Sequence, residues 1–155
     1  MTRTTIAKIA AIAALLAASA LPGAAAASGQ SLAARYLAIA EAGNRHLEHD
    51  FDSLEGADNH NLARAHADLR DAATTERLFD RRLLALAFPP AIEAVAHDLY
   101  RVNQLRARLT FAASVAATLA YLHSYEPALD AANGPVERDV RTIRHSLGLP
   151  PPETS

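Results

Sequence analysis

Residues 45–56, RHLEHDFDSLEG, set two histidines three positions apart among four acids. Histidine with carboxylate is a donor set for zinc and similar metals, which need three or four converging ligands, each oriented by a further hydrogen bond. On a helix His46 and Asp50, four apart, can meet on one flank. A third ligand has to come from His60 or His66, beyond a turn. Each helical residue advances about 100°, so His46 lies about 85° from the apolar stripe through Tyr36, Gly43 and Leu54, His49 about 145° and Asp50 about 45°. The spacing predicts a solvated helix face. The alternative is a metal- or small-ligand-binding site built from His46, Asp50 and His60 or His66. The paired Glu-x-x-His helices of di-metal bundles are missing from the sequence.

Glu76 falls on the apolar seam of its own segment. A lone buried carboxylate is costly, so it needs a cation. A fold-back at residues 88–89 sets position 76 across from 101 and predicts a structural Glu76–Arg101 pair, with Arg77 as the other candidate. Two arginine runs, Arg101, Arg106 and Arg108, then Arg138, Arg141 and Arg144, suit an anionic cell-wall polymer or lipid, or a solvated face balanced by acids such as Glu137 and Asp139. His97, His123 and His145 are scattered. The only methionine is Met1, so a His/Met haem site is not expected, and no cofactor is. The sequence has no G-x-S-x-G, H-E-x-x-H or P-loop, and no cysteine for thiol chemistry. These absences argue for a protein that is not an enzyme.

The elements that must position these side chains are helical. After residue 30, alanine, leucine, arginine and glutamate dominate, all strong helix formers. The first helix is expected over 31–54, capped by Ser31. The second is expected over 61–86, with Leu62, Ala65, Leu69, Ala72, Glu76, Phe79 and Leu83 at the alternating spacing of a bundle seam. Phe88, Pro89 and Pro90 make a corner, and the third helix starts at Pro90 on the stripe Ile92, Val95, Leu99, Val102 and Leu109. Its end, within TFAASVAATLAYLHS, is open. Asn133 and Gly134 read as a helix end and Pro135 as a new start, before a last stripe of Val136, Val140, Ile143 and Leu147 and a cap at Gly148. The expected fold is all-α, an up-and-down four-helix bundle with a kinked or split last helix.

The 155-residue chain opens with Arg3, Lys8 and the apolar run IAAIAALLAASAL at 9–21, followed by Pro22, Gly23 and AAAAS. This is the three-part pattern of a signal peptide over residues 1–27, cut near Ala26 or Ala27. The expected organisation is then a bundle domain over 28–149 and a short Pro-rich tail over 150–155. Beyond the signal no segment is apolar enough to span a bilayer. The remaining chain keeps 13 arginines, no lysine and 17 acids, a net charge of −4. That balance argues against nucleic acid as a partner. Without cysteine, no disulfide framework or lipid-modified cysteine is possible.

The corner RLLALAFPP and the ending IRHSLGLPPP together resemble small exported helical proteins and lipoproteins of actinobacteria, over roughly residues 31–152. The resemblance implies export and a helical bundle, and carries no catalytic residue. Many such proteins bear a lipid-anchoring cysteine that this chain lacks. The expectation is a secreted or envelope-associated protein that binds rather than catalyses, with a cell-envelope protein or an anionic cell-wall polymer as partner.

Overall fold

Capping sets the first boundaries. In the computed structural model, which describes residues 30–152, the Ser31 hydroxyl accepts the Ala34 amide at 3.1 Å and starts α1, Leu32–Glu55. The Asn61 side chain accepts the Arg64 amide at 3.2 Å and starts α2, Leu62–Leu84. Both satisfy amides that a helix start leaves without partners. Pro90, whose missing N–H costs nothing in a first turn, opens α3, Pro90–Ala113. A five-residue helix α4, Leu119–His123, is capped by Thr118 and leads to α5, Glu126–Ser146.

The long helices form the up-and-down bundle, with no strand among the described residues. Helix α1 packs on α2, α2 on α3 and α3 on α5, whereas α1 and α5 stay further apart. Two apolar clusters occupy the ends. One gathers Phe51, Leu54, Leu69, Ala113, Leu122 and Leu129. The other gathers Tyr36, Leu83, Leu99, Val136, Val140 and Ile143. The hydrophobic effect acts on both, at about 25 cal/mol per Å² of apolar surface removed from water.

The break in the last leg falls at Ser124–Tyr125, not at residues 133–135. Pro135 lies inside α5. A mid-helix proline removes one hydrogen bond and strains the turn before it, at about 3 kcal/mol or more. The seam of Leu129, Ala132, Val136, Val140 and Ile143 is buried on both sides of it, and that packing holds the helix through the proline. The third helix runs four residues past Leu109, because Thr110 and Ala113 continue its buried seam.

Helix α5 ends in a Schellman turn. Gly148 takes φ +69°, the left-handed region glycine enters without strain. The Leu149 amide donates to the Arg144 carbonyl at 2.8 Å, and the Gly148 amide to His145 at 3.0 Å. This turn sends the tail back, so that the Arg144 Nε donates to the Pro150 carbonyl at 2.6 Å. No described helix is long and apolar enough to cross a membrane. The signal-peptide reading lies outside the described residues.

Candidate functional site

The buried face of α3 keeps strict seam spacing at Ile92, Ala96, Leu99, Asn103, Arg106, Thr110 and Ala113. Its middle is polar. The facing seam of α2 is polar at the same level, with Glu76 and Asp80. Between the two apolar clusters therefore lies a belt of buried polar groups. Asn103 donates to Asp80 at 2.8 Å and Gln104 donates to the same carboxylate at 2.6 Å. Burial still pushes the Asp80 carboxyl up to about 6, against the pull of those two donors.

The cation beside Glu76 is Arg106, with Nε 3.2 Å from the carboxylate, and both side chains are almost wholly enclosed at 4% and 1% exposure. The expected partner, Arg101, is exposed and pairs with Asp98 on its own helix. The reason is register. The pairs Glu76–Arg106 and Asp80–Asn103 centre the hairpin near residue 91, because residues 85–89 add chain after α2 before α3 begins. Arg77 is not the partner either; its guanidinium sits over the Phe111 ring, 5.1 Å from the centroid. Arg106 and Arg144 are both buried, so neither expected basic run forms a continuous surface.

The Glu76–Arg106 contact is one of charges without a directed hydrogen bond: both carboxylate oxygens and the Arg106 Nε lack a hydrogen-bond partner within the protein. The Thr110 hydroxyl donates to the Arg106 carbonyl at 3.1 Å, and its closeness to Glu76 also holds that carboxyl down against burial. Burial is the largest influence on Glu76 and raises its pKa, with Arg106 pulling the other way. The Tyr36 hydroxyl and one terminal nitrogen of Arg144 are likewise buried without a hydrogen-bond partner. Burial pushes the Tyr36 phenol up to about 12, so it stays protonated and remains a donor.

These groups share one place. A slot of about 30 Å³ opens where α1 and α5 stand apart, with the small Ala40 and Gly43 on one wall and Val136 and Val140 on the other. Glu76, Phe79, Asn103 and Arg106 line it from α2 and α3, and Tyr36 and Arg144 from α1 and α5. One water needs roughly 10–15 Å³ of such space. The slot therefore takes two waters, or a solute with few heavy atoms. It is far too small for haem.

The histidine-rich stretch is arranged differently. His46 and His49 are exposed, as their angles predicted, and Asp50 is half-buried. His46 borders an open groove of about 180 Å³ between α1 and α2, with Thr74, Thr75 and Arg82. His60 is exposed in the turn region before α2, and His66 meets the Ala116 carbonyl at 2.9 Å. Among the described residues no group of three or more histidines and acids is placed to hold a metal ion. His46, Asp50, His60 and His66 are not brought together as the metal alternative required. What acts on Asp50 most strongly is burial and acid, with His49 and His46 pulling weakly the other way. Burial first, then Asp71 and Asp68, push it up to about 6. Of the remaining histidines, His97 and His145 are exposed, and His123 meets Glu126 at 2.6 Å.

Sequence reading found Glu76, placed Arg106 and Arg144 in outward basic runs and Tyr36 on the apolar stripe, and missed Asn103 and Asp80. The signal was present: extending the Ile92–Ala96–Leu99 spacing down α3 lands on Asn103, Arg106 and Thr110. No family model, curated protein or solved structure matches the chain. The resemblance to exported actinobacterial proteins rests on its two segments alone.

Proposed function

We propose that the protein is an exported, non-catalytic binding bundle of the cell envelope, and that its interior slot holds a small anionic solute. One observation carries the reading. The Tyr36 hydroxyl, both Glu76 oxygens, the Arg106 Nε and an Arg144 nitrogen are buried without hydrogen-bond partners, and all four side chains line the same slot. Stranding such groups costs about 1–3 kcal/mol each, and more for charged ones. A ligand that bonds them recovers that cost.

The chemistry at the two ends differs. Glu76 and Arg106 offset each other in charge. At the other end the Arg144 guanidinium faces the neutral Tyr36 hydroxyl, and two donors beside an uncompensated positive charge suit a carboxylate. The volume restricts it to formate, acetate or a two-carbon hydroxy or amino acid. The exposed histidines supply no comparable set, so the reading moves from His46, Asp50, His60 and His66 to Tyr36, Glu76, Arg106 and Arg144.

The test is thermal unfolding with formate, acetate, glycolate and glycine in turn, and with chloride as control. A ligand that binds only the folded state at 100 times its Kd adds about 2.7 kcal/mol of stability. The expected result is a saturable rise in midpoint with at least one carboxylate, lost in Tyr36→Phe and kept in His46→Ala. No rise with any of them, or an equal rise in Tyr36→Phe, refutes the reading and leaves the slot to two structural waters.

A further inference from the structure

Helix α2 separates charge by side. Asp68 and Asp71 look toward α1 and Asp50, and electrostatic coupling ties these three carboxyls together. On the flank toward α3 the charge is reversed. Arg70, Arg77 and Arg81 recur at positions seven and four apart, within about 40° of one line along the helix. Across from them α3 turns outward Leu105, Arg108 and Phe111, and the turn that follows it exposes Val115. The three apolar side chains are 48%, 43% and 57% exposed, and they gather the large exposed apolar groups of α3 and of the turn after it toward one end of the helix. Arg77 stacked on Phe111 joins the two helices into a single surface. None of Arg70, Arg77, Arg81 and Arg108 is in an ion pair among the described residues. Glu76 and Asp80 on this side of α2 are buried, and Asp98 is engaged by Arg101.

We propose that this α2/α3 face docks on an anionic phospholipid surface. Charge complementarity selects an anionic partner: four guanidiniums without an ion pair stand on this face, and its exposed acid, Asp98, is already engaged by Arg101, on a chain whose overall charge is negative. The apolar groups then select a bilayer over a soluble polymer. Leu105, Phe111 and Val115 gain by entering the boundary between headgroups and acyl chains, while long arginine side chains keep their heads at the phosphates. A second copy meeting this face symmetrically would bring arginine against arginine, which disfavours an isologous dimer. The slot between α1 and α5 opens elsewhere, so this inference does not depend on its ligand.

The experiment is co-sedimentation with vesicles, using the chain from residue 28 onward. That chain retains every described helix and removes the apolar run at 9–21, which would itself bind lipid. Vesicles of phosphatidylcholine are compared with vesicles containing phosphatidylglycerol, and circular dichroism checks that each variant is folded. The expected result is binding to the anionic vesicles alone, weakened by salt. Arg70→Gln/Arg77→Gln/Arg108→Gln is expected to weaken it on the order of a hundredfold, each arginine near the surface contributing about fivefold. Leu105→Ser/Val115→Ser, which removes apolar groups and no charge, is expected to weaken it at least tenfold. Equal binding to neutral vesicles, no binding to either, or full binding by folded variants overturns the proposal. So does binding to polyphosphate that ignores Leu105 and Val115, or a dimer that these substitutions dissolve.

Discussion

Helix α1 borders two seams that treat polar groups in opposite ways. Toward α2 it places His46, His49 and Asp50 where water reaches them, beside a groove of about 180 Å³. Toward α5 it leaves a slot of about 30 Å³ whose lining includes polar atoms of Tyr36, Glu76, Arg106 and Arg144 that have neither water-facing surface nor a hydrogen-bond partner in the protein. The larger space carries the weaker claim to a ligand. Water satisfies histidine and aspartate on an open helix face at little cost. A buried hydroxyl, carboxylate or guanidinium has no such recourse, and its stranded bonds are what a ligand can recover.

The strongest way to break the contrast is to remove one charge from the slot. Arg106→Met leaves the Glu76 carboxylate buried and unpaired, and is expected to cost about 3–5 kcal/mol in urea unfolding. Adding Glu76→Leu to it should restore most of the loss, because a buried pair replaced by apolar groups of similar size is often neutral. If Arg106→Met unfolds like the parent chain, the pair is not buried as described.

Acid sharpens the contrast next. Asp80 and Asp50 both have carboxyls raised to about 6, chiefly by burial. For an acid raised in the folded state, the native protein holds its proton more tightly than the unfolded chain does. Stability is then fullest below the unfolded pKa near 4 and is lost as pH rises through about 6. Unfolding free energy is expected to be higher at pH 5 than at pH 7.5, by about 1–2 kcal/mol for Asp80. Asp80→Asn should show a shallower pH slope whatever its absolute stability. A slope of the opposite sign, measured by denaturant titration at several pH values, would contradict the burial of these groups.

Smaller effects follow at the walls. A Cβ at Gly43 would meet the Phe79 ring at 4.0 Å, an ordinary contact. Gly43→Ala is therefore expected to stabilise the chain by about 0.5–1 kcal/mol through helix propensity, while narrowing the slot. Least of all, His46→Ala and His49→Ala should each change stability by less than about 0.5 kcal/mol. Zinc should not shift the thermal midpoint of either variant or of the parent chain, and a saturable zinc shift would return the metal site to consideration.

Much of the bundle was legible because its apolar stripes, caps and prolines report local physics. Ser31, Asn61, Pro90 and Gly148 each act where a helix end requires them. Pro135 was read too strongly as a break, since packing on both sides of α5 outweighs one lost hydrogen bond. The slot was harder to see. Its residues come from four helices, and the eye follows apolar letters: on α3 it took Val95, Val102 and Leu109, all half-buried, in place of Asn103, Arg106 and Thr110. Glu76 stood out as a lone acid on a seam, but its partner depended on how many residues the corner at 85–89 adds. That length decides between Arg101 and Arg106, and no local rule supplies it.

The turn at Gly148 has a consequence for how the segment after α5 bears on the slot. The segment that this turn sends back supplies the Pro150 carbonyl that holds Arg144. A chain clipped to residue 149 keeps all five helices and every slot-lining side chain, yet its Arg144 is released to turn. Such a molecule would look intact by mass to within a few residues and by circular dichroism. Comparing carboxylate-induced midpoint shifts for chains ending at 149 and 155 would show whether clipping silences the slot; equal shifts would mean that the tail has no hold on it.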